Sequence, residues 1–132
     1  RRSIYLMQQR LKRHPFLSLF DGADPNVSTA QRELTTVPTQ ALYLMNNEFV
    51  HARSASLAKR VIQLADDASS RVRAAYMIAL GRQPAPDEIT DSLSFLAEYA
   101  ASLGDAATDR ETLAWNGFAR SILTRNEFLF VD

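Results

Sequence analysis

Tyr76-Met77-Ile78-Ala79-Leu80-Gly81-Arg82-Gln83-Pro84-Ala85-Pro86-Asp87-Glu88 stops one amphipathic helix and starts another within a few residues. A glycine just past a helix accepts the left-handed backbone that closes it. A proline at the first position of the next helix gives up an amide that has no partner there. Gly81 and Pro86 therefore encode the reversal locally. Upstream, Val72, Ala75, Tyr76, Ala79 and Leu80 recur at i, i+3, i+4, i+7 and i+8, one apolar face behind a natural N-cap at Asp67. Downstream, Ile89, Leu93, Leu96, Ala97, Ala100 and Leu103 build the next helix, and Gly104 closes it. Asp87, Glu88 and Asp91 lie near its start, where negative charge complements the helix dipole.

Outward from this pair the helical signals continue. Val50, Leu57, Ala58, Val61, Leu64 and Ala65 form a single stripe on a long helix that Asn47 can cap. Before it, Thr36 as cap and Pro38 in the first turn open a short apolar helix with Ala41, Leu42, Leu44 and Met45, ended by Asn46-Asn47. Thr108 and Glu111 make a Thr-x-x-Glu capping box for a last helix striped by Trp115, Phe118, Ala119 and Ile122. The apolar end, Asn126 to Val131, is expected to pack back onto the bundle. At the other end Ile4, Tyr5 and Leu6 suit an extended or strand-like arm. His14-Pro15 breaks the chain, Phe16, Leu17, Leu19 and Phe20 form an apolar anchor, and Asp21 to Asn26 reads as a mobile loop. The expected fold is all-α (mainly α), a compact bundle of about five helices with an extended N-terminal arm. One domain over 1–132 is expected, with arm and loop in 1–35 and the bundle in 36–132.

At 132 residues and 46% hydrophobic content the chain can bury one sizeable core. Its formal charge is zero but lopsided: residues 1–60 carry nine Lys/Arg against four Asp/Glu, residues 61–132 six against eleven. Opposite patches can attract each other inside the fold, so they argue less for a nucleic-acid partner than a net basic charge would. With no Cys there is no disulfide framework, no thiolate metal site and no covalent haem attachment within these residues. No apolar run approaches the roughly 20 residues that span a bilayer, so no membrane insertion is expected. The first residue is Arg rather than Met, and a fragment of a longer protein is expected.

The residues that carry chemistry are sparse. His14 and His51 are the two imidazoles, and neither a metal-binding His-Glu-x-x-His nor a nucleophile elbow is present. Gly22, Gly81, Gly104 and Gly117 do not make a phosphate loop. Asp21, Asp24 and Asn26 lack the ligand alternation and central glycine of a calcium loop, so an Asx-turn is the better account. The carboxylates at 66–67 and 87–91 read as helix-terminal acids rather than an acid/base pair. Arg1, Arg2, Arg10, Lys12 and Arg13 could follow a phosphate backbone, but a solvated arm, or one docked on the acidic half, accounts for them. No catalytic, cofactor or metal residue is assigned. Leu44-x-x-Asn47-Glu48-Phe49 echoes Leu123-x-x-Asn126-Glu127-Phe128, which a helix-junction tripeptide explains without a duplication.

The densest polar signature is Arg32-x-x-Thr35-Thr36-x-Pro38-x-Gln40-Ala41-Leu42, continuing to Asn46. Together with Arg1-Arg2-Ser3-Ile4-Tyr5, Phe20-Asp21, Leu80-Gly81-Arg82-Gln83-Pro84 and Asn126-Glu127-Phe128-Leu129, it resembles the C-terminal part of the planctomycete PSD domain, domain of unknown function 1553. Val37 stands where that family usually has Thr, Thr39 where it has Leu, and Ala85 where it has a capping Thr. The resemblance implies a larger, exported protein, periplasmic or at the cell surface. Such a protein often carries a haem c domain of cytochrome type and a companion domain upstream. It brings no established reaction.

Two functional readings follow. In the first, the chain is a non-catalytic helical interaction module that packs on upstream domains of its own polypeptide through the Arg32 to Asn46 face and the basic arm. In the second, Arg32, Thr35, Thr36, Gln40 and Asn46 complete a ligand or active site whose other half lies upstream. A local reading competes with the second: Thr36 caps, Asn46 and Asn47 join two helices, and Arg32 pairs with Glu33 or the acidic half.

Overall fold

The computed structural model describes residues 5–7, 9–28, 30, 35, 37–104 and 109–129. Among them the chain is mainly α, with seven helices and no strand: α1 (Pro15–Leu19), α2 (Pro38–Asn46), α3 (Glu48–Leu64), α4 (Ala68–Leu80), α5 (Pro86–Ser102), α6 (Arg110–Leu123) and α7 (Asn126–Leu129). Five of these are the expected helices; α1 and α7 are short additions. The chain divides into two compact units, residues 1–43 and 44–132, with α2 running across the division.

In the first unit Pro15 does not break the chain but opens α1, sitting at its first position with His14 as N-cap. A proline there forfeits an amide that is an orphan in any case. The helix closes through Asp21, a non-glycine residue with φ 53°, and the Gly22 N–H, which donates to Leu17 O at 2.6 Å. That is a Schellman closure, in which glycine falls one residue after the left-handed position. Gly22 is needed for a different reason: a Cβ there would meet Leu17 O at 2.6 Å and Leu17 Cβ at 2.8 Å. Phe16 and Phe20 lie 4.8 Å apart, and the Tyr43 ring packs on both at 6.2 and 6.0 Å. The loop that follows makes several hydrogen bonds. Asp24 accepts from Asn26 N at 2.9 Å, Asn26 Nδ2 donates to Arg10 O at 3.1 Å, and Arg13 Nη2 donates to Gly22 O at 2.9 Å. The described residues of the N-terminal arm form turns and bends, while residues 1–4 lie outside the described residues.

The second unit is the bundle. Leu57, Ala58 and Val61 of α3, Val72, Ala75 and Tyr76 of α4, Leu96 of α5 and Ala114, Trp115, Phe118, Ala119 and Ile122 of α6 form one core. The stripes read from spacing supply nearly all of it, because side chains three and four apart share a helix face. Full burial of Val61, Val72 or Ile122 contributes roughly 1.5–3 kcal/mol each. Leu64, expected on the α3 stripe, is 58% exposed, and Ser54 is buried instead. Its hydroxyl returns a hydrogen bond to Val50 O at 2.7 Å, so burial leaves no orphan. Trp115 and Phe118 meet edge to face at 5.5 Å, and Phe95 stacks on Tyr99 at 5.6 Å.

Helix ends follow the expected chemistry at most positions. Asn47 accepts from Phe49 N and Asp67 from Ser70 N, each at 2.9 Å, while Gly81 and Gly104 take the left-handed closures. One assignment is corrected. Asp109 caps α6, accepting from Thr112 N, while Thr108, the expected cap, lies outside the described residues. Glu111 accepts from Nη1 of Arg71 on α4. Both copies of the Asn-Glu-Phe tripeptide sit at helix junctions, Asn47 as the cap of α3 and Asn126 as the first residue of α7.

Candidate functional site

The sequence singled out Arg32, Thr35, Thr36, Gln40 and Asn46. Arg32 and Thr36 lie outside the described residues. Thr35 and Gln40 come together at the end of α1. The Asp21 carboxylate accepts from Thr35 N at 2.7 Å and from Thr35 Oγ1 at 2.8 and 2.9 Å. Gln40, in the first turn of α2 and only 6% exposed, donates through Nε2 to Leu19 O at 2.9 Å and Thr35 O at 3.1 Å. Its Oε1 accepts from Val37 N at 3.4 Å. Leu19 O is one of the last carbonyls of α1, which the helix itself leaves without a partner. The buried amide of Gln40 thus satisfies a helix end and pins the chain entering α2. Both of its N–H donors are committed to backbone carbonyls. Asn46 is exposed at the far end of α2, about 9 Å along the axis from Gln40.

A second polar cluster, which sequence reasoning took for helix-terminal acids, lies at the α4–α5 reversal. Arg82 grips Glu88 with two parallel bonds, Nη1 to Oε2 at 2.7 Å and Nη2 to Oε1 at 2.8 Å. The same guanidinium holds Glu127 of α7 through Nε and through Nη2, the latter at 2.9 Å. Arg125 adds a contact to Glu88 at 3.3 Å, and the Ala85 N–H donates to Glu88 at 2.9 Å. Ala85 has no side chain to cap α5, so Glu88 supplies the reciprocal half of a capping box alone. Beneath the cluster the buried ring of Tyr76 faces Arg82 at 5.4 Å and Arg125 at 5.3 Å.

These contacts set the charge states. Hydrogen bonds from Arg82, then from the Ala85 N–H, hold Glu88 well below the usual carboxylate range, at about 2. Glu127 is lowered by its hydrogen bonds from Arg82, and Arg82 is itself raised by Glu88 and then Glu127. Every carboxylate of the cluster is bound to a fixed cation. Such an arrangement organises helices; it does not exchange protons near neutral pH.

Ion pairs between described residues join Arg13 to Asp24, Arg71 to Glu111, Arg82 to Glu88 and Glu127, and Arg125 to Glu88. Among the described residues no three His, Asp or Glu side chains gather where they could hold a metal ion. None of the described helices is long and apolar enough to cross a membrane. A cleft beside α1, lined by Gln9, Arg13, His14, Leu17, Ala23 and Pro25, encloses about 210 Å³ even with open solvent included. Small-molecule sites run from about 300 to 1,000 Å³.

Described residues from the blocks that carried the family resemblance, Asp21, Thr35, Gln40, Arg82 and Glu127, take part in two locks, Asp21–Thr35–Gln40 and Arg82–Glu88–Glu127. The family model described as PSD1, protein of unknown function (DUF1553), matches residues 1–96. The chain belongs to the PSD1 family. The match ends within α5, so the Asn126 to Leu129 block, which supplies Glu127 to the second lock, lies beyond the matched residues. No curated protein and no solved structure matches the chain. Within the PSD1 match, Phe20-Asp21 and Thr35 to Gln40 meet through side-chain hydrogen bonds, and Gly81-Arg82 meets Glu88. What sequence reasoning missed was Asp21, Arg82 and Glu88 as hubs. The signal available for each was its place in or beside a block of the resemblance.

Proposed function

We propose that this PSD1 chain is a non-catalytic helical interaction module of a larger, exported multidomain polypeptide, docking on that polypeptide's other domains through the outer face of α2. The reading is supported by one contrast within α2. Gln40 and Leu44 are buried, whereas Leu42 and Met45, three residues apart along the helix, are 56% and 54% exposed. Phe49, at the start of α3, is 67% exposed. Large side chains in the half of the chain that contains the densest polar signature are an expected mark of a contact surface. The alternative, a ligand site completed by Thr35 and Gln40, has less to recommend it because the polar groups of both side chains are spent on Asp21, Leu19, Thr35 and Val37.

The test is calorimetric titration of this chain with the adjoining domains, comparing the natural sequence with the double variant Leu42→Ser, Met45→Ser. Binding that weakens at least tenfold, with an unchanged melting temperature, supports the reading. Equal affinity for both proteins, or no association at micromolar concentration, rejects it.

A further inference from the structure

We propose that His51 is a pH-responsive latch that holds the last turn of α2 to α6. The imidazole of His51, exposed in the first turn of α3, makes two contacts of opposite kind. Its Nε2 lies 3.0 Å from Met45 O, and its Nδ1 lies 3.3 Å from Arg120 Nη1 on α6. A carbonyl oxygen only accepts and a guanidinium only donates. Both contacts are hydrogen bonds in one state alone, the neutral ring with its proton on Nε2 and its lone pair on Nδ1. Geometry therefore fixes the tautomer. A second proton on the ring removes the acceptor that Arg120 uses and sets two cations side by side, so acidification breaks the α6 half of the latch.

The neighbouring charges leave the ring to Arg120. α2 contains no Asp, Glu, Lys, Arg or His, with Tyr43 its only titratable group. Glu48 lies three residues earlier on α3 itself, and Arg53, two residues later, rests over the Phe49 ring at 5.3 Å. On α6, Arg110 and Glu111 are roughly 14 Å further along the axis, and Glu111 is taken by Arg71. Arg82, Glu88, Arg125 and Glu127 are bonded to one another. The latch acts on the turn that carries exposed Met45. Its effect on docking rests on the function proposed above, while the latch itself does not.

The experiment uses the chain alone, so it is independent of any partner. Long-range nitrogen–proton NMR spectra at pH 8 read the tautomer directly. The expected result is a proton on Nε2 and a bare Nδ1; a proton on Nδ1 overturns the proposal. Amide exchange over 41–47, corrected for its intrinsic pH dependence, is then compared at pH 7.5 and 5.5. It should rise about threefold to tenfold on acidification in the natural protein, as expected for loss of one exposed hydrogen bond. In His51→Asn and in Arg120→Leu that rise should vanish. A rise of the same size in either variant, or none in the natural protein, refutes the latch.

Discussion

Arg82 and Glu127 stand 45 residues apart in sequence, yet the guanidinium of the first grips both oxygens of the second, joining the end of α4 to α7. The same arginine holds Glu88 at the start of α5, so one side chain fixes the mutual placement of three helix ends. Bidentate geometry of this kind requires a planar fork, which lysine lacks. Arg82→Lys should therefore lower the melting temperature nearly as far as Arg82→Ala does. Thermal unfolding followed by circular dichroism decides this, and a Lys variant indistinguishable from the natural protein contradicts it.

Glu88 carries the larger share of the lock's electrostatics. Its folded carboxyl is depressed to about 2 from an ordinary value of 4.5, so its contribution is fully present above pH 4.5. That contribution is lost as pH falls through about 2. Urea melts between pH 6 and pH 2 should show stability falling with acid. Glu88→Gln should remove part of that slope and cost on the order of 1–2 kcal/mol at pH 7 after allowance for solvent screening. An unchanged slope in Glu88→Gln would contradict the assignment.

Gln40→Ala strips partners from Leu19 O, Thr35 O and Val37 N at a buried position. The expected cost is roughly 1–3 kcal/mol, concentrated in residues 1–43. Limited proteolysis should find new cleavage in that unit while the bundle core stays protected. Cleavage unchanged from the natural protein would argue that the lock contributes nothing.

Gly22→Ala drives a methyl group into the Leu17 backbone, with Leu17 O only 2.6 Å away. Since the obstacle is main chain, the α1 closure must open or shift, at a cost of about 1–3 kcal/mol. Gly81→Ala is a different case: its Cβ would meet nothing within 4 Å, and the penalty comes from φ 71° alone. Gly22→Ala should expose the first unit to protease, whereas Gly81→Ala should lower the stability of the bundle. The reverse pattern would count against both assignments.

How far the sequence speaks depends on the range of each interaction. Gly81, Pro86, Asn47 and Asp67 act through their own backbone or a neighbour two or three residues away, and spacing alone located them. The core stripes of α3 to α6 are equally local, although Ser54 shows that a small hydroxyl can occupy a buried place by bonding one turn back. α1 was hidden because Pro15 reads as a breaker, and its closure depends on Asp21 being held by Thr35, 14 residues on. Glu111, read as half of a local capping box, serves Arg71, 40 residues away. Neither polar lock could be assembled from local pattern. The resemblance marked most of their members without saying what those residues touch.

Docking through α2 is tested most directly by hydrogen exchange of this chain alone and mixed with the adjoining domains proposed above. New protection is expected across 41–50, around Leu42, Met45 and Phe49, with the Arg82–Glu88–Glu127 region unchanged. Protection centred on Thr35 and Gln40 with 41–50 still exchanging freely, or none anywhere, would contradict it.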